Sequence, residues 1–282
     1  MIAVCIATYN QQAYIAQAVQ SALAQQCDEP VHIYIGDDAS TDGTESVCRQ
    51  LAADYPQIHY FRRTQNIGLV ENTLLMYEQL LHDGCEWVAM LDGDDYWTTT
   101  DKLQEQIMFL RAHPDYGFVH TAAYDDVCGR LLEADNARKP TGDLHLCYNQ
   151  HGAQTTNSTV LFRSSLLRPE DMAAIRAERF RVLDYPLYGI FSQRTCFGYI
   201  PRYTAAWRRH TSVSNPSGFF RYLVYRYHFA RCWFWLDRRY GGNFHFGWFK
   251  AVRWYGWHVY VRLTQRRNTA APICQNDGAT IP

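Results

Sequence analysis

The first 120 residues alternate between two hydrophobic periods. "IAVCIAT" (residues 2–8) is a short apolar run bounded by polar residues, the pattern of a buried strand. "AYIAQAVQSALAQ" follows, with Ile15, Val19, Ala22 and Leu23 on one face of a helix. The pair then repeats. "VHIYIGDD" predicts a second strand and "TESVCRQLAADY" a second helix, after the turn formers "ASTDGT". "IHYF" predicts a third strand, and "LVENTLLMYEQLL" a third helix ending at Gly84. "EWVAML" predicts a fourth strand, "KLQEQIMFLRAH" a fourth helix stopped by Pro114, and "YGFVHTAAY" a fifth strand. Such alternation with short connections predicts right-handed crossovers and a largely parallel sheet covered on both faces.

Ligand-binding residues of these sheets gather beyond the carboxyl ends of the strands. Three polar clusters fall there: "TYN" after the first strand, Asp37 and Asp38 after the second, and "DGDD" (92–95) after the fourth. No G-x-G-x-x-G follows the first strand and no G-K-[ST] loop occurs, which excludes the usual dinucleotide and P-loop signatures. Three carboxylates within four positions repel one another wherever they are partly buried. A solvated turn relieves that repulsion. So does a hard divalent cation, Mg²⁺ or Mn²⁺, which takes carboxylate oxygens together with substrate phosphate oxygens. A strand buried on both faces ahead of the acids favours the cation.

Composition narrows the classes. Of 282 residues, 47% are hydrophobic and 20% charged, which suits one sizeable globular domain with an appendage. The nine cysteines form no C-x-x-C pair, which argues against a disulfide framework or a structural zinc site and for a reducing compartment. Residues 1–27 carry no charge, but Asn10 and six glutamines interrupt the run, so no secretory signal is expected. No apolar stretch reaches the roughly 18 residues of a spanning helix. A cytoplasmic protein, at most peripheral on the inner membrane, is expected.

The net charge of −1 hides a split. Residues 216–268 hold ten Lys and Arg against one acid, Asp237, so this segment is near +9 and the remainder near −10. The same segment holds 18 of the 42 aromatics, interleaved with arginine in "FFRYLVYRYHFARCWFWLDRRY". Two readings stand: a helical hairpin packed on the main domain, or an interfacial anchor for anionic lipid headgroups. No nucleic-acid recognition motif accompanies the charge, so no nucleic-acid partner is expected. The last residues, 269–282, are read as disordered.

The motifs taken in order resemble the inverting nucleotide-sugar glycosyltransferases of the GT-A fold, in the large bacterial family 2 type that builds polysaccharides. The resemblance runs from residue 2 to about 215. It rests on "CIATYNQQAYIAQAVQSALAQ", "IGDDASTDGT", "QNIGLVENTL", "LDGDDYWTTTDKL", "TTNSTVLFRSSLL", "VLDYPLYGIFSQ" and "AAWRRHTSVS". It implies an α/β GT-A catalytic domain over 1–215, followed by the basic aromatic helical extension (216–268) and the tail (269–282). It also implies a UDP-sugar donor, a divalent metal (Mn²⁺ or Mg²⁺), and a glycan or lipid-linked sugar acceptor.

Residue by residue, the resemblance places Thr8, Tyr9, Asn10 and Asn66 around the nucleotide, with Asp38 accepting the imide N–H of a uracil ring. Asp92 would face ribose and metal, and Asp94 would be the principal metal ligand. Asp95 is a ligand in one of two registers. Arg208, His210 and Ser214 would lie near the diphosphate, His210 also as a metal partner or else a packed histidine. Thr156 and Asn157 fall on the acceptor side. Glu71 stands where many relatives carry a basic residue and is given no diphosphate contact. In "RVLDYPL" the local sequence of Asp184 reads as a helix N-cap with Pro186 in the first turn, whereas the motif order makes it resemble the catalytic base; a cap at the mouth of a pocket serves both roles. Two other readings compete with this one. A sugar nucleotidyltransferase would carry a Gly-rich basic loop after the first strand, and "ATYNQQAY" is neither. A non-catalytic nucleotide-binding or membrane-adaptor protein would have no need of acids at both 92–95 and 184.

Overall fold

A computed structural model describes residues 1–133, 141–144, 155–209, 219–240 and 256. Strands β1 (Ile2–Thr8), β2 (Val31–Asp37), β3 (Ile58–Arg62) and β4 (Trp87–Met90) alternate with helices α1 (Ile15–Leu23), α2 (Thr44–Asp54) and α3 (Leu69–His82). Every one of these matches an apolar run or helical period in the sequence to within a residue or two. A two-residue strand β5 (Tyr96–Trp97) leads to α4 (Lys102–Ala112), then to β6 (Tyr116–Val127) and β7 (Arg130–Glu133). Further on come β8 (Leu161–Arg163), α5 (Pro169–Glu178), α6 (Asp184–Phe191), β9 (Cys196–Arg208) and α7 (Phe219–Arg239).

The sheet order is β3-β2-β1-β4-β8-β6-β9-β5, with β7 beside β6. Strands β1 to β4 pair in parallel. Beyond β4 the direction changes: β8 is antiparallel to both β4 and β6, and β5 is antiparallel to β9. The sheet is therefore mixed: β1 to β4 are all parallel, while on the other side β6 and β9 pair in parallel between the reversed strands β8 and β5. Strand β9 escaped the sequence reading because its pattern is broken. Its register against β6 jumps from Ile200 to Tyr203 opposite Thr121 and Ala122, which leaves Pro201 in a bulge where it owes no ladder hydrogen bond.

Two apolar layers sandwich the sheet. Odd residues of β1 (Ala3, Cys5) pack with Leu74 and Tyr77 of α3, and with Met172, Tyr185 and Leu187 of α5 and α6. Even residues (Ile2, Val4, Ile6) pack with Ile15 and Val19 of α1, Leu51 of α2 and Leu103 and Ile107 of α4. On α1 the fully buried set is Ile15, Ala18, Val19 and Ala22, with Leu23 at the edge. Helix α7 belongs to the first layer, since Cys232, Trp233 and Leu236 are buried in it. Among the described residues no helix is long and apolar enough to cross a membrane. Cys128, at the β6–β7 turn, is disulfide-bonded, a pairing that cysteine spacing did not foretell. The other six described cysteines are free.

Candidate active site

The carboxyl ends of β1, β2 and β4 bring the three polar clusters to one edge. After β1, Thr8 is buried and donates its hydroxyl to Gln11 Oε1 at 2.7 Å. Asn10 takes the left-handed conformation (φ 53°), which asparagine tolerates better than most residues. From there its Oδ1 accepts the Thr41 N–H at 2.8 Å, and its own N–H reaches Ser40 Oγ at 3.0 Å. Tyr9, between them, is 45% exposed. The first loop is thus laced to the second.

In the second loop the two aspartates have separate tasks. Asp37 is fully buried and accepts the Ser40 N–H at 2.9 Å and the Tyr60 hydroxyl at 2.7 Å. Asp38, also buried, accepts the N–H groups of Ile67 (2.7 Å) and Gly68 (2.8 Å). That pins the loop carrying the exposed Asn66 against the end of β2. Each carboxylate oxygen keeps a second lone pair, so Asp38 retains acceptor capacity. Glu71 is ion-paired with Arg176 of α5 at 2.7 Å, so the acid at this position serves helix packing. Arg63, unremarked in the sequence, faces Asp38 and Glu71 and donates to Asn72 Oδ1 at 2.8 Å. Its only signal was a basic pair, "RR", at the end of β3.

The third loop shows why glycine stands at 93. A Cβ there would lie 2.4 Å from Gln11 Oε1 and 3.2 Å from Thr8, so glycine lets the acidic loop close onto the first loop without displacing the Gln11 side chain from Thr8. Asp95 is 1% exposed, and both its oxygens are engaged. Ser158 Oγ donates to one at 2.6 Å and the Arg208 N–H to the other at 3.1 Å. Ser158 Oγ also accepts the Asp92 N–H at 3.1 Å. Asp95 thereby ties the loop to β9 and to the turn before β8.

Arg208 is likewise turned inward. Its guanidinium donates to the Asp94 carbonyl at 2.5 Å and to Gln17, between the rings of Tyr14 and Tyr96 at 5.0 and 4.6 Å. The structure uses it to hold the acidic loop from beneath. Arg209 pairs with Asp125 at 2.7 Å.

Asp92 and Asp94 are half-buried. Burial first, then the charge of Asp94, raise the Asp92 carboxyl to about 7, and Asp184 adds to the effect. Burial also raises Asp184, against a backbone hydrogen bond from Tyr185. Asp184 is the first residue of α6, with Leu183 at the N-cap position, and its carboxyl accepts hydrogen bonds from backbone N–H groups of that first turn. Asn157 links the two acids' elements. Its Nδ2 donates to Asp92 Oδ1 at 2.7 Å, and its Oδ1 accepts the hydroxyl of Tyr188, one turn along α6 from Asp184, at 2.7 Å. Thr156 uses its carbonyl on Thr159. His210 and Ser214 lie outside the described residues.

Among the described residues no three His, Cys, Asp or Glu side chains form a ready-made metal cage. The donor chemistry still fits a hard cation. Asp92 and Asp94 set two half-buried carboxylates close enough for the Asp94 charge to act on Asp92, and Mg²⁺ or Mn²⁺ is commonly held by one or two carboxylates plus substrate phosphates.

Residues 3–183 match the model of glycosyl transferase family 2. The chain belongs to that family. Curated relatives align over part of their length. The uncharacterized protein Mb1547 of Mycobacterium bovis is 40% identical over 111 residues, 38% of this chain and 31% of its own. EpsE of Bacillus subtilis, which carries a glycosyltransferase name, is 31% identical over 43% of this chain and 42% of its own. The dTDP-rhamnosyl transferase RfbG of Shigella flexneri is 29% identical over 36% and 35%. The chain thus spans less than half the length of these relatives.

Two solved structures, each 16% identical, share the fold. TarS of S. aureus with UDP-GlcNAc has a TM-score of 0.59 and covers 94% of this chain and 77% of its own. The mannosyltransferase PcManGT of Pyrobaculum calidifontis, with GDP-Man and Mn²⁺, also gives 0.59, over 96% and 76%. This family 2 member has the GT-A fold that its motifs implied.

Proposed function

We propose that this chain is a divalent-metal-dependent, inverting glycosyltransferase. It moves a sugar from a UDP-sugar to a hydroxyl of a glycan or lipid-linked acceptor in cell-surface polysaccharide synthesis. One observation carries the reading: the Asp92–Asn157–Tyr188 bridge, which sets an acidic loop against the helix that begins with Asp184. A nucleotide-sugar donor is in keeping with the ligands of TarS and PcManGT.

In this reading Thr8, Tyr9, Asn10, Asp38 and Asn66 receive the nucleoside, Asp38 as acceptor for the imide N–H. Asp92 and Asp94 would hold the cation, with His210 and Ser214 as further partners of the diphosphate. When bound, the cation neutralises the leaving diphosphate. Asp184 accepts the proton of the acceptor hydroxyl as that oxygen bonds to the anomeric carbon. The bond from the anomeric carbon to the diphosphate oxygen breaks on the opposite face, so configuration inverts and UDP departs. Asn157 and Tyr188 orient the two acids relative to one another, and Thr156 lies on the acceptor's approach. A screen of nucleotide sugars with Mn²⁺ should show one UDP-sugar raising the melting temperature and releasing UDP. Absence of both effects for every UDP-sugar would overturn the proposal.

We also propose that residues 216–268 bring the enzyme to an anionic membrane surface on the cytoplasmic side. The segment's net charge near +9 supports this, as do the exposed Val224 and Tyr227 of α7. Two of its arginines, Arg231 and Arg239, are instead ion-paired with Glu178 and Asp171. The remaining cations each contribute about 1 kcal/mol near such a surface. Replacing Arg253, Arg262, Arg266 and Arg267 with Gln should release the intact chain from anionic liposomes at low salt. Unchanged sedimentation would contradict it.

A further inference from the structure

Helix α6 is gripped from two sides by different stripes of residues. Asp184 and Tyr188 lie one turn apart; the Asp184 charge reaches Asp92 of the acidic loop, and the Tyr188 hydroxyl donates to Asn157, which itself holds Asp92. Tyr185 and Gly189, the adjacent stripe, face α7. Gly189 has no side chain to hold α7 away, and a Cβ there would stand 2.5 Å from Leu236 Cδ1 and 3.0 Å from Cδ2. Leu236 is fully buried on this contact. One turn earlier the Tyr185 ring lies edge-on to Trp233 (centroids 5.7 Å apart, 63°) and 5.3 Å from Phe229. Cys232 is buried between these contacts, near enough to Asp184 for that carboxylate to help raise its thiol pKa.

Charged contacts lock α7 in place along the same face. Buried Asp171 of α5 pairs with Arg194, just beyond α6, at 2.6 Å and with Arg239 of α7 at 2.9 Å. Arg231 donates to the Glu178 carbonyl at 2.9 Å. Glycine is less favourable than alanine in a helix interior, so close approach of α7 is the compensating gain at 189.

We propose that α7 is a positioning element for sugar transfer. By seating Leu236 on Gly189 and Trp233 on Tyr185, it fixes the depth at which α6 presents Asp184 to the acidic loop. The inference rests on the reading of Asp184 as the base and extends it to a segment beyond the residues matched by the family. A general base acts within hydrogen-bond reach of its proton, and a displacement of about 1 Å can cost about 10²-fold in rate. Because the two stripes belong to one short helix, moving the α7 side moves Asp184.

The test is a compensation experiment in the full chain. Gly189→Ala should lower kcat for transfer about tenfold or more, while the affinity for UDP with Mn²⁺ stays within about twofold. Adding Leu236→Ala removes the clashing methyls, and the double variant should recover most of the lost kcat. Trp233→Leu, a milder change, should show the same split between kcat and UDP affinity. Asp184→Asn is assayed alongside. If it transfers at the wild-type rate, the base reading itself falls, whatever α7 does. If Asp184→Asn is inactive but Gly189→Ala and Trp233→Leu keep wild-type kcat despite lower melting temperatures, α7 is packing alone. A parallel loss of kcat and UDP affinity, with no recovery in the double variant, would equally overturn the positioning role.

Discussion

The two sides of the sheet are built differently. On the β1–β4 side, parallel strands and their helices follow one another at short intervals, and three polar loops arrive at the same edge because each strand ends there. On the β6–β9 side, strands change direction, β9 bulges around Pro201, and the decisive contacts join residues far apart in sequence. Asn157 reaches Asp92, Arg208 reaches Asp94 and Asp95, and Leu236 reaches Gly189. The first side presents chemistry that local order suffices to assemble. The second side fixes the distance at which its own acid, Asp184, meets that chemistry. A donor pocket built mainly by one side and an acceptor step controlled by the other is the division this difference suggests.

The largest expected effect separates the two. Asp184→Asn is nearly isosteric, and it should lower kcat for transfer by roughly 10²–10⁴-fold while leaving UDP affinity unchanged. Steady-state rates and calorimetric titration together check it. Transfer at the wild-type rate would leave Asp184 as a structural helix start, and the division would fail.

Next comes the seam. Ser158 donates to Asp95 and accepts from the Asp92 N–H, so Ser158→Ala leaves a buried carboxylate oxygen and a backbone donor without that partner. A loss of about 1–3 kcal/mol is expected in urea unfolding. Stability within about 0.5 kcal/mol of wild type would show that the seam does not depend on this hydroxyl.

Per pH unit, the smallest effect is a change of slope. Lys102, the first residue of α4, is fully buried, with its ammonium 4.4 Å from the Trp97 ring centre and donating to Gln106 at 2.7 Å. Gln106 in turn holds the Thr159 carbonyl, so this group braces the same seam. Burial lowers Lys102 from 10.5 to about 7. Between those values the unfolded chain binds the extra proton, so stability rises with pH across this window and is lost as pH falls toward 7. The slope is at most about 1.4 kcal/mol per pH unit. Lys102→Met should remove this contribution, so its stability relative to wild type is most favourable near pH 7 and declines as pH rises. A relative stability independent of pH would contradict the assignment.

How much the sequence disclosed follows the same line. The elements from Ile2 to Ala112 were legible because burial on both faces leaves continuous apolar runs and one-sided helices leave a 3.6-residue period. The acidic loop was legible because like charges rarely cluster after a buried strand without a reason. The separate tasks of the three acids were not, since Asp95 is distinguished only by Ser158 and Arg208, 63 and 113 residues away. The surroundings of Arg208 were hidden for the same reason: its charge was visible, while Tyr14, Tyr96 and the Asp94 carbonyl around it were not. In α7 the aromatics suggested a surface or a core equally. Spacing alone does not tell which face of Cys232, Trp233 and Leu236 meets α6.

The central claim is that the acidic loop receives a metal-bound nucleotide diphosphate through Asp94. Its most direct test is the affinity for UDP across a Mn²⁺ titration, for wild type and Asp94→Ala, with folding checked by melting temperature. The account predicts that Mn²⁺ strengthens UDP binding in the wild type and leaves the folded Asp94→Ala variant unaffected. The same Mn²⁺ dependence in both proteins would contradict it.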